Sequence, residues 1–136
     1  MKDDKCIFCK IANGEIPSKT LFEDEKMRVF LVLGPATKGH CLVVPKDHYA
    51  DLFEVPADTL AVAFSTAQKV GAQLKEKLQA DGVNIVQNNG AAAGQTVAHF
   101  HIHVIPRYEN DGQTIGWNPG ELAEEDADAV LKTFAE

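Results

Sequence analysis

The order of apolar and polar positions divides the chain into short runs and one long helical stretch. Residues 7–13 (Ile-Phe-Cys-Lys-Ile-Ala-Asn), followed by Gly14, read as a helical turn with a glycine stop. Residues 20–23 and 27–33 read as two strands around a turn at Asp24-Glu25, and Gly34-Pro35 breaks the second. Residues 41–45 form a third, apolar strand introduced by Lys38-Gly39-His40. After Pro56, the residues Leu60, Phe64, Ala67, Val70 or Gly71, Leu74 and Leu78 recur at three- and four-residue steps. Polar residues fill most of the intervening positions, so this is an amphipathic helix. Asp58 is its expected N-cap and Asp81-Gly82 its expected stop. Residues 83–87 and 98–105 read as two more strands, separated by a polar, glycine-containing stretch. Ala127, Val130, Leu131 and Phe134 share one helical face near the end of the chain. Two main helices and five strands joined by short turns predict an α+β domain built on an antiparallel sheet.

Composition narrows the function. A chain of 136 residues fits one domain, residues 1–136, and 45% apolar content is enough to bury a core. Thirteen basic against twenty acidic residues leave a net charge of −7, which argues against nucleic acid or an anionic membrane as partner. No apolar run reaches the ~18–20 residues of a membrane span, and the opening residues lack a signal-peptide core, so a cytoplasmic location is expected. Three cysteines do not make a disulfide framework; Cys6-Ile-Phe-Cys9 reads as a metal half-site or a redox pair.

The densest chemistry lies at His99, His101 and His103. On a strand these three project from one face at ~6.5–7 Å intervals, with Phe100, Ile102 and Val104 on the other. Either they ligate a metal, or one is a nucleophile that its neighbours position. The preceding loop favours the second reading. Gly90 and Gly94 let the backbone approach a ligand, and Asn88, Gln95 and Thr96 offer neutral hydrogen bonds, which together hold a phosphate without net positive charge. A tetrahedral zinc on Cys6 and Cys9 needs two further ligands, for which His48, His99 and Cys41 are candidates. Cys41 follows His40 directly and faces the other side of its strand. The Cys pair lacks the preceding strand and parallel βαβ pattern of a thioredoxin-type redox motif.

His99-Phe-His101-Ile-His103-Val-Ile-Pro106-Arg107 stands after Asn88-Asn-Gly90, Gly94-Gln95-Thr96-Val97 and Gly39-His40-Cys-Leu-Val-Val-Pro45-Lys46. This series resembles the histidine triad (HIT) family, and Cys6-Ile-Phe-Cys9-Lys-Ile with Gly14-Glu-Ile-Pro17 is similar to its bacterial Hint-like branch. The likeness runs through a core of about residues 6–107; in the segment 108–136 only Trp117-Asn-Pro119-Gly120 is similar. The resemblance implies a HIT-like fold, a five-stranded antiparallel sheet with two main helices, paired across a homodimer. It implies nucleotidyl hydrolase or transferase activity on purine nucleoside phosphoramidates, dinucleoside polyphosphates or related nucleotide conjugates. By motif position His101 corresponds to the nucleophile, His103 to the group at the scissile phosphate or leaving group, and His40 to a histidine that orients the site. Asn88, Gly94, Gln95 and Thr96 correspond to substrate-binding positions. Cys6, Cys9, His48 and His99 correspond to the ligands of a structural zinc, with no catalytic cofactor.

A neutral imidazole whose one nitrogen gives its proton to a backbone carbonyl aims the other nitrogen's lone pair outward, as attack on phosphorus requires. The chain departs from the family at Val32, where an acidic or amide residue commonly holds the ribose hydroxyls. A non-catalytic nucleotide-sensing or partner-binding protein is the rival reading. A zinc hydrolase with the triad as catalytic ligands ranks last, because no carboxylate base stands beside the histidines.

Overall fold

The computed structural model describes residues 2–136. The elements follow in the order α1 (Ile7–Ala12), β1 (Thr20–Glu23), β2 (Met27–Leu31), β3 (Cys41–Pro45), α2 (Ala57–Lys77), β4 (Gly82–Val86), β5 (Ile102–Arg107) and α3 (Glu124–Ala135). Short 3-10 turns lie at Leu52–Glu54 and Ala91–Ala93. The five strands form one sheet in the order β1-β2-β3-β5-β4, and every neighbouring pair is antiparallel, as expected.

Alternation along the strands gives the sheet two faces. Met27, Val29, Cys41, Val43, Ile102 and Val104 pack under α2 through Ala63, Ala67 and Val70. Gly71 belongs to this contact, because a Cβ there would stand 3.6 Å from Val104 Cγ1 and 3.8 Å from Val83 Cγ1. Phe30, Leu42 and Val44 belong to the opposite face, with Ala12, Phe8 and Ile11 of α1. Cys41 therefore lies in the core under α2, away from Cys6 and Cys9, and burial pushes its thiol up to about 12.

Several boundaries differ from the sequence reading. The buried stripe of α2 runs through Ala63, Thr66, Ala67, Val70 and Gly71, while Phe64 is part-exposed. Small residues let the helix sit close to the sheet, which leaves the larger side chain at the flank. The helix begins two residues before the expected start: Pro56 is the N-cap and makes no side-chain cap bond, and Asp58 lies in the first turn. An acidic side chain there still complements the helix dipole. The stop is Gln79, left-handed at φ +54°, and Gly82 already opens β4. The pattern expected for α3 is present, but the helix buries none of its residues in this chain. No helix among the described residues is long and apolar enough to cross a membrane.

Candidate active site and metal centre

The largest difference from expectation shapes the site. β5 begins at Ile102, so His99 and His101 precede the strand and only His103 belongs to it. Pairing with β3 runs from Val43↔Ile102 to Cys41↔Val104. Beyond it, the main chain turns away and Phe100 N–H donates to Tyr49 O at 2.7 Å. The carbonyl of Pro45 at the end of β3 is met by a side chain instead, 2.9 Å from His99 Nε2. A side chain has replaced a ladder bond.

That bond fixes the His99 ring. A carbonyl only accepts, so Nε2 carries the proton and Nδ1 presents its lone pair. Nδ1 lies 3.3 Å from Cys6 Sγ and 3.4 Å from Cys9 Sγ, and Cys9 Sγ lies 3.4 Å from His48 Nδ1. All four ligand atoms fall within 4.8 Å of one another. With Zn–S of ~2.3 Å and Zn–N of ~2.0–2.1 Å at tetrahedral angles, S···N separations of ~3.6 Å follow. The four residues therefore fit a tetrahedral divalent ion with a Cys₂His₂ donor set, the third and fourth ligands being His48 and His99 rather than Cys41. The surroundings also suit thiolates: Asp3 N–H donates to Cys9 Sγ and Cys9 N–H to Cys6 Sγ, each at 3.4 Å. Asn13 ties α1 to β3 by donating from Nδ2 to Cys9 O and Lys46 O. Without a cation, burial holds the Cys9 thiol up at about 11.

The backbone of His99 serves a second ring. Its carbonyl lies 2.7 Å from His101 Nδ1, which must donate, so His101 Nε2 keeps a free lone pair. Beside it, the tautomers of two further rings are fixed in series. Ala36 N–H is an obligatory donor and bonds His40 Nδ1 at 2.9 Å, so His40 carries its proton on Nε2. His40 Nε2 then donates across 2.9 Å to His103 Nδ1, which leaves His103 with an N–H at Nε2. The His101 and His103 ring centroids are 5.1 Å apart. One buried ring therefore offers a lone pair and its neighbour a donor. Burial lowers the pKa of His101 and His40, and burial first, then the two other imidazoles, brings His103 down to about 4. All three rings are neutral at pH 7.

His40 is delivered by a constrained turn. Gly39 adopts φ +96°, and a Cβ there would come within 2.7 Å of Leu78 Cδ1 and 3.1 Å of Pro106 Cγ. Tyr108 and Thr37 brace the same turn by donating to Lys38 O and Pro106 O.

The loop before the triad has a tightly bonded frame. Gln95 Oε1 accepts from Gly90 N–H at 2.8 Å, and Nε2 donates to Ala50 O and Val97 O at 2.8 and 3.0 Å. Its amide thus holds the loop closed. Gly90 and Gly94 carry the turn at φ +91° and +95°, and Gly94 packs against the Asn88 amide, where a Cβ would lie 3.5 Å from Nδ2. The Asn88 side chain and the exposed Thr96 hydroxyl have no hydrogen-bond partner among the described residues, nor do the N–H groups of Thr96, Val97, Ala98 and His101. These are unspent donors in the segment that leads to His101 and its free lone pair. Two contributors escaped the sequence reading: Ala36, which acts through its backbone N–H, and Phe8, whose ring meets His101 edge-on at 5.1 Å. Phe8 stood within the Cys6-x-x-Cys9 motif as its only signal.

Three neutral imidazoles beside a glycine loop on an antiparallel sheet define a clustered-histidine site. A model described as the HIT domain matches residues 13–110, and the chain belongs to the HIT family. It is 52% identical over 127 residues to the uncharacterized HIT-like protein MJ0866 of Methanocaldococcus jannaschii, covering 93% of this chain and 96% of that protein. Over 116 residues it is 41% identical to the adenosine 5'-monophosphoramidase HNT1 of Saccharomyces cerevisiae, covering 85% of this chain and 71% of that enzyme. Among solved structures, a Zn-bound histidine triad family protein from Mycobacterium smegmatis matches with a TM-score of 0.77 at 38% identity, covering 97% of this chain and 98% of that one.

Proposed function

We propose that the chain is a nucleotidyl hydrolase or transferase acting on purine nucleoside phosphoramidates, dinucleoside polyphosphates or related conjugates through a nucleotidyl-His101 intermediate. The observation that carries this reading is the pair of complementary tautomers, a lone pair at His101 Nε2 beside an N–H at His103 Nε2. His101 Nε2 attacks the α-phosphorus, forming a P–N bond as the bond to the leaving nitrogen or oxygen breaks. His103 Nε2–H donates a hydrogen bond to the leaving atom, which takes up its proton from a solvent water. A second water then attacks phosphorus, the P–Nε2 bond breaks, the nucleoside monophosphate departs, and the proton of the attacking water passes to the hydroxide left by the first. Two displacements replace one difficult step. The free N–H groups of residues 96–98, with Asn88 and Thr96, supply donors for the phosphoryl oxygens, while Gln95 holds them in place. The name of the yeast relative supports phosphoramidates as the first substrates to test.

The ion in the Cys6, Cys9, His48 and His99 set is proposed as a structural zinc, since four protein ligands leave no open position for chemistry. When bound, it cross-links α1 to the segment that carries the nucleophile. A homodimer within the cytoplasm completes the reading. It is supported by the open edge of β4 and the exposed Ile85 and Phe64 beside it. The test is hydrolysis of an adenosine phosphoramidate, with acid-quenched intact-mass analysis for one adenylyl group on His101. Folded, metal-loaded protein that turns over neither phosphoramidates nor dinucleotides rejects the enzymatic reading.

A further inference from the structure

A pocket of about 260 Å³ opens beside the histidines, lined by Phe8, Ile11, Val32, Leu33 and Leu42 among others. Phe8 joins it to the chemistry, since the same ring lies 5.1 Å from His101 and 5.9 Å from Phe30. The pocket therefore adjoins the ring on which the proposed reaction takes place. A flat heteroaromatic ring suits such walls, because burying its faces there removes apolar surface from water.

The walls provide very little else. The lining side chains with polar atoms are Ser18 and Lys19. The Ser18 hydroxyl is 2.9 Å from Thr20 Oγ1, and Lys19 is exposed and can only donate. Val32 sits among these walls, packed on the cluster of Ala12, Phe30, Leu42 and Val44, and its main chain is tied down by Val32 N–H donating to His40 O at 3.1 Å. No carboxylate or amide lines the pocket among the described residues. A sugar hydroxyl drawn inside loses water and meets no carboxylate or amide acceptor, which costs free energy, so the solvent-facing rim is the better place for the hydroxyls.

We infer that this pocket takes the nucleoside of the substrate by its base alone and does not read the sugar hydroxyls, with Val32 as the residue that makes it so. Ribonucleotides and 2′-deoxyribonucleotides then bind alike. This inference rests on the nucleotidyl reading above, but a binding measurement tests it apart from turnover. Calorimetric titration of adenosine 5′-monophosphate and 2′-deoxyadenosine 5′-monophosphate into the metal-loaded chain is expected to give dissociation constants within threefold of each other. A ratio above threefold, or binding of neither nucleotide, overturns the inference. Phosphoramidate turnover on the same preparation judges the nucleotidyl reading, so the two failures are distinct. Val32→Asp gives the pocket wall a carboxylate acceptor that it lacks, and it is expected to tighten the ribonucleotide by tenfold or more over the deoxy form. Val32→Asn, which adds no charge, is expected to shift the ratio in the same direction by less. If both variants move the two nucleotides equally, the role assigned to Val32 is wrong.

Discussion

The main-chain carbonyl of His99 holds the His101 ring by its Nδ1–H at 2.7 Å, while the His99 ring itself faces Cys6 and Cys9 at 3.3 and 3.4 Å. One residue thus connects the four side chains that could hold a metal ion to the ring proposed as nucleophile. A structural ion there would need no catalytic role to matter for rate, because it would steady the carbonyl that decides which nitrogen of His101 is free.

Replacement of His101 by alanine is expected to lower kcat by about 10³-fold or more, because no other described group offers a free lone pair there. Binding of adenosine 5′-monophosphate should change by less than about threefold, since the loop amides and the apolar pocket are untouched. Single-turnover kinetics with titration of the monophosphate check both halves. A variant that keeps near wild-type turnover excludes His101 as the nucleophile.

His40 acts through His103 and is a positioning residue. His40→Ala removes the donor that keeps His103 Nδ1 an acceptor, freeing the ring to rotate or change tautomer. The expected result is a fall in kcat of about 10- to 100-fold, with KM nearly constant, the scale of a misplaced rather than a missing group. His40→Gln, which can return an N–H donor near the former Nε2, is expected to recover part of the loss. Equal defects in the two variants would mean that His40 only fills space.

Gln95 matched a substrate-binding position by motif, yet its amide spans the loop. The same amide that accepts from Gly90 N–H donates to Ala50 O and Val97 O. Gln95→Glu keeps shape and the acceptor but turns the donor end into an oxygen facing two carbonyls. It is expected to be at least as damaging as Gln95→Ala, with a lower unfolding midpoint and faster amide hydrogen exchange across residues 88–97. Loss of activity without either change would point to direct contact with substrate.

Much of this was legible in the sequence, for physical reasons that differ by element. The strands show because β3 is buried and continuously apolar and β2 and β5 are apolar but for Arg28, His103 and Arg107, and the turn at Asp24 shows because its carboxylate caps the N–H groups of Lys26 and Met27. The start of β5 did not show, since alternation of His and apolar residues continues through 99–104 whether or not the backbone is paired. What ends the ladder is the His99 ring taking the Pro45 carbonyl, a contact across 54 residues. From spacing alone the metal set was half legible. Cys6 and Cys9 announce themselves by spacing, whereas the choice of His48 and His99 over Cys41 came only from the family resemblance; the structure brings these four together and puts Cys41 under α2.

Metal removal is expected to lower both stability and rate. One zinc per chain should appear in elemental analysis, and Cys9→Ser should lose it. Because the Cys9 thiol sits at about 11 without a cation, loading at pH 7 should release protons, so apparent affinity should rise with pH. Thermal unfolding with and without a strong chelator, alongside pH-dependent zinc titration, checks both effects. Protein that stays metal-free with an unchanged midpoint would remove the ion from the picture.

The buried imidazoles also set the acid limit of stability. His40, His101 and His103 have folded pKa values below the ordinary ~6.5, mainly through burial, with His103 at about 4. As pH falls through ~6.5 the unfolded chain takes up protons that the folded chain refuses, so the unfolded state gains. The stabilising preference for neutral rings is complete above ~7.5 and is lost from ~6.5 downward until the folded groups themselves titrate, near pH 4 for His103. Carboxylates add a separate loss below their own unfolded range: Glu23 is held low by Lys46 and Arg28, and Asp111 by Arg107. The unfolding midpoint should therefore be level near pH 7 to 7.5, below the range in which unfolded thiols ionise, fall between 6.5 and 4, and fall further below. His103→Gln, which cannot titrate, should flatten the 6.5-to-4 segment while leaving the lower one in place. Denaturant titrations of the two proteins at half-unit pH steps decide it, and parallel curves through that window would mean that His103 does not take its proton preferentially in the unfolded chain.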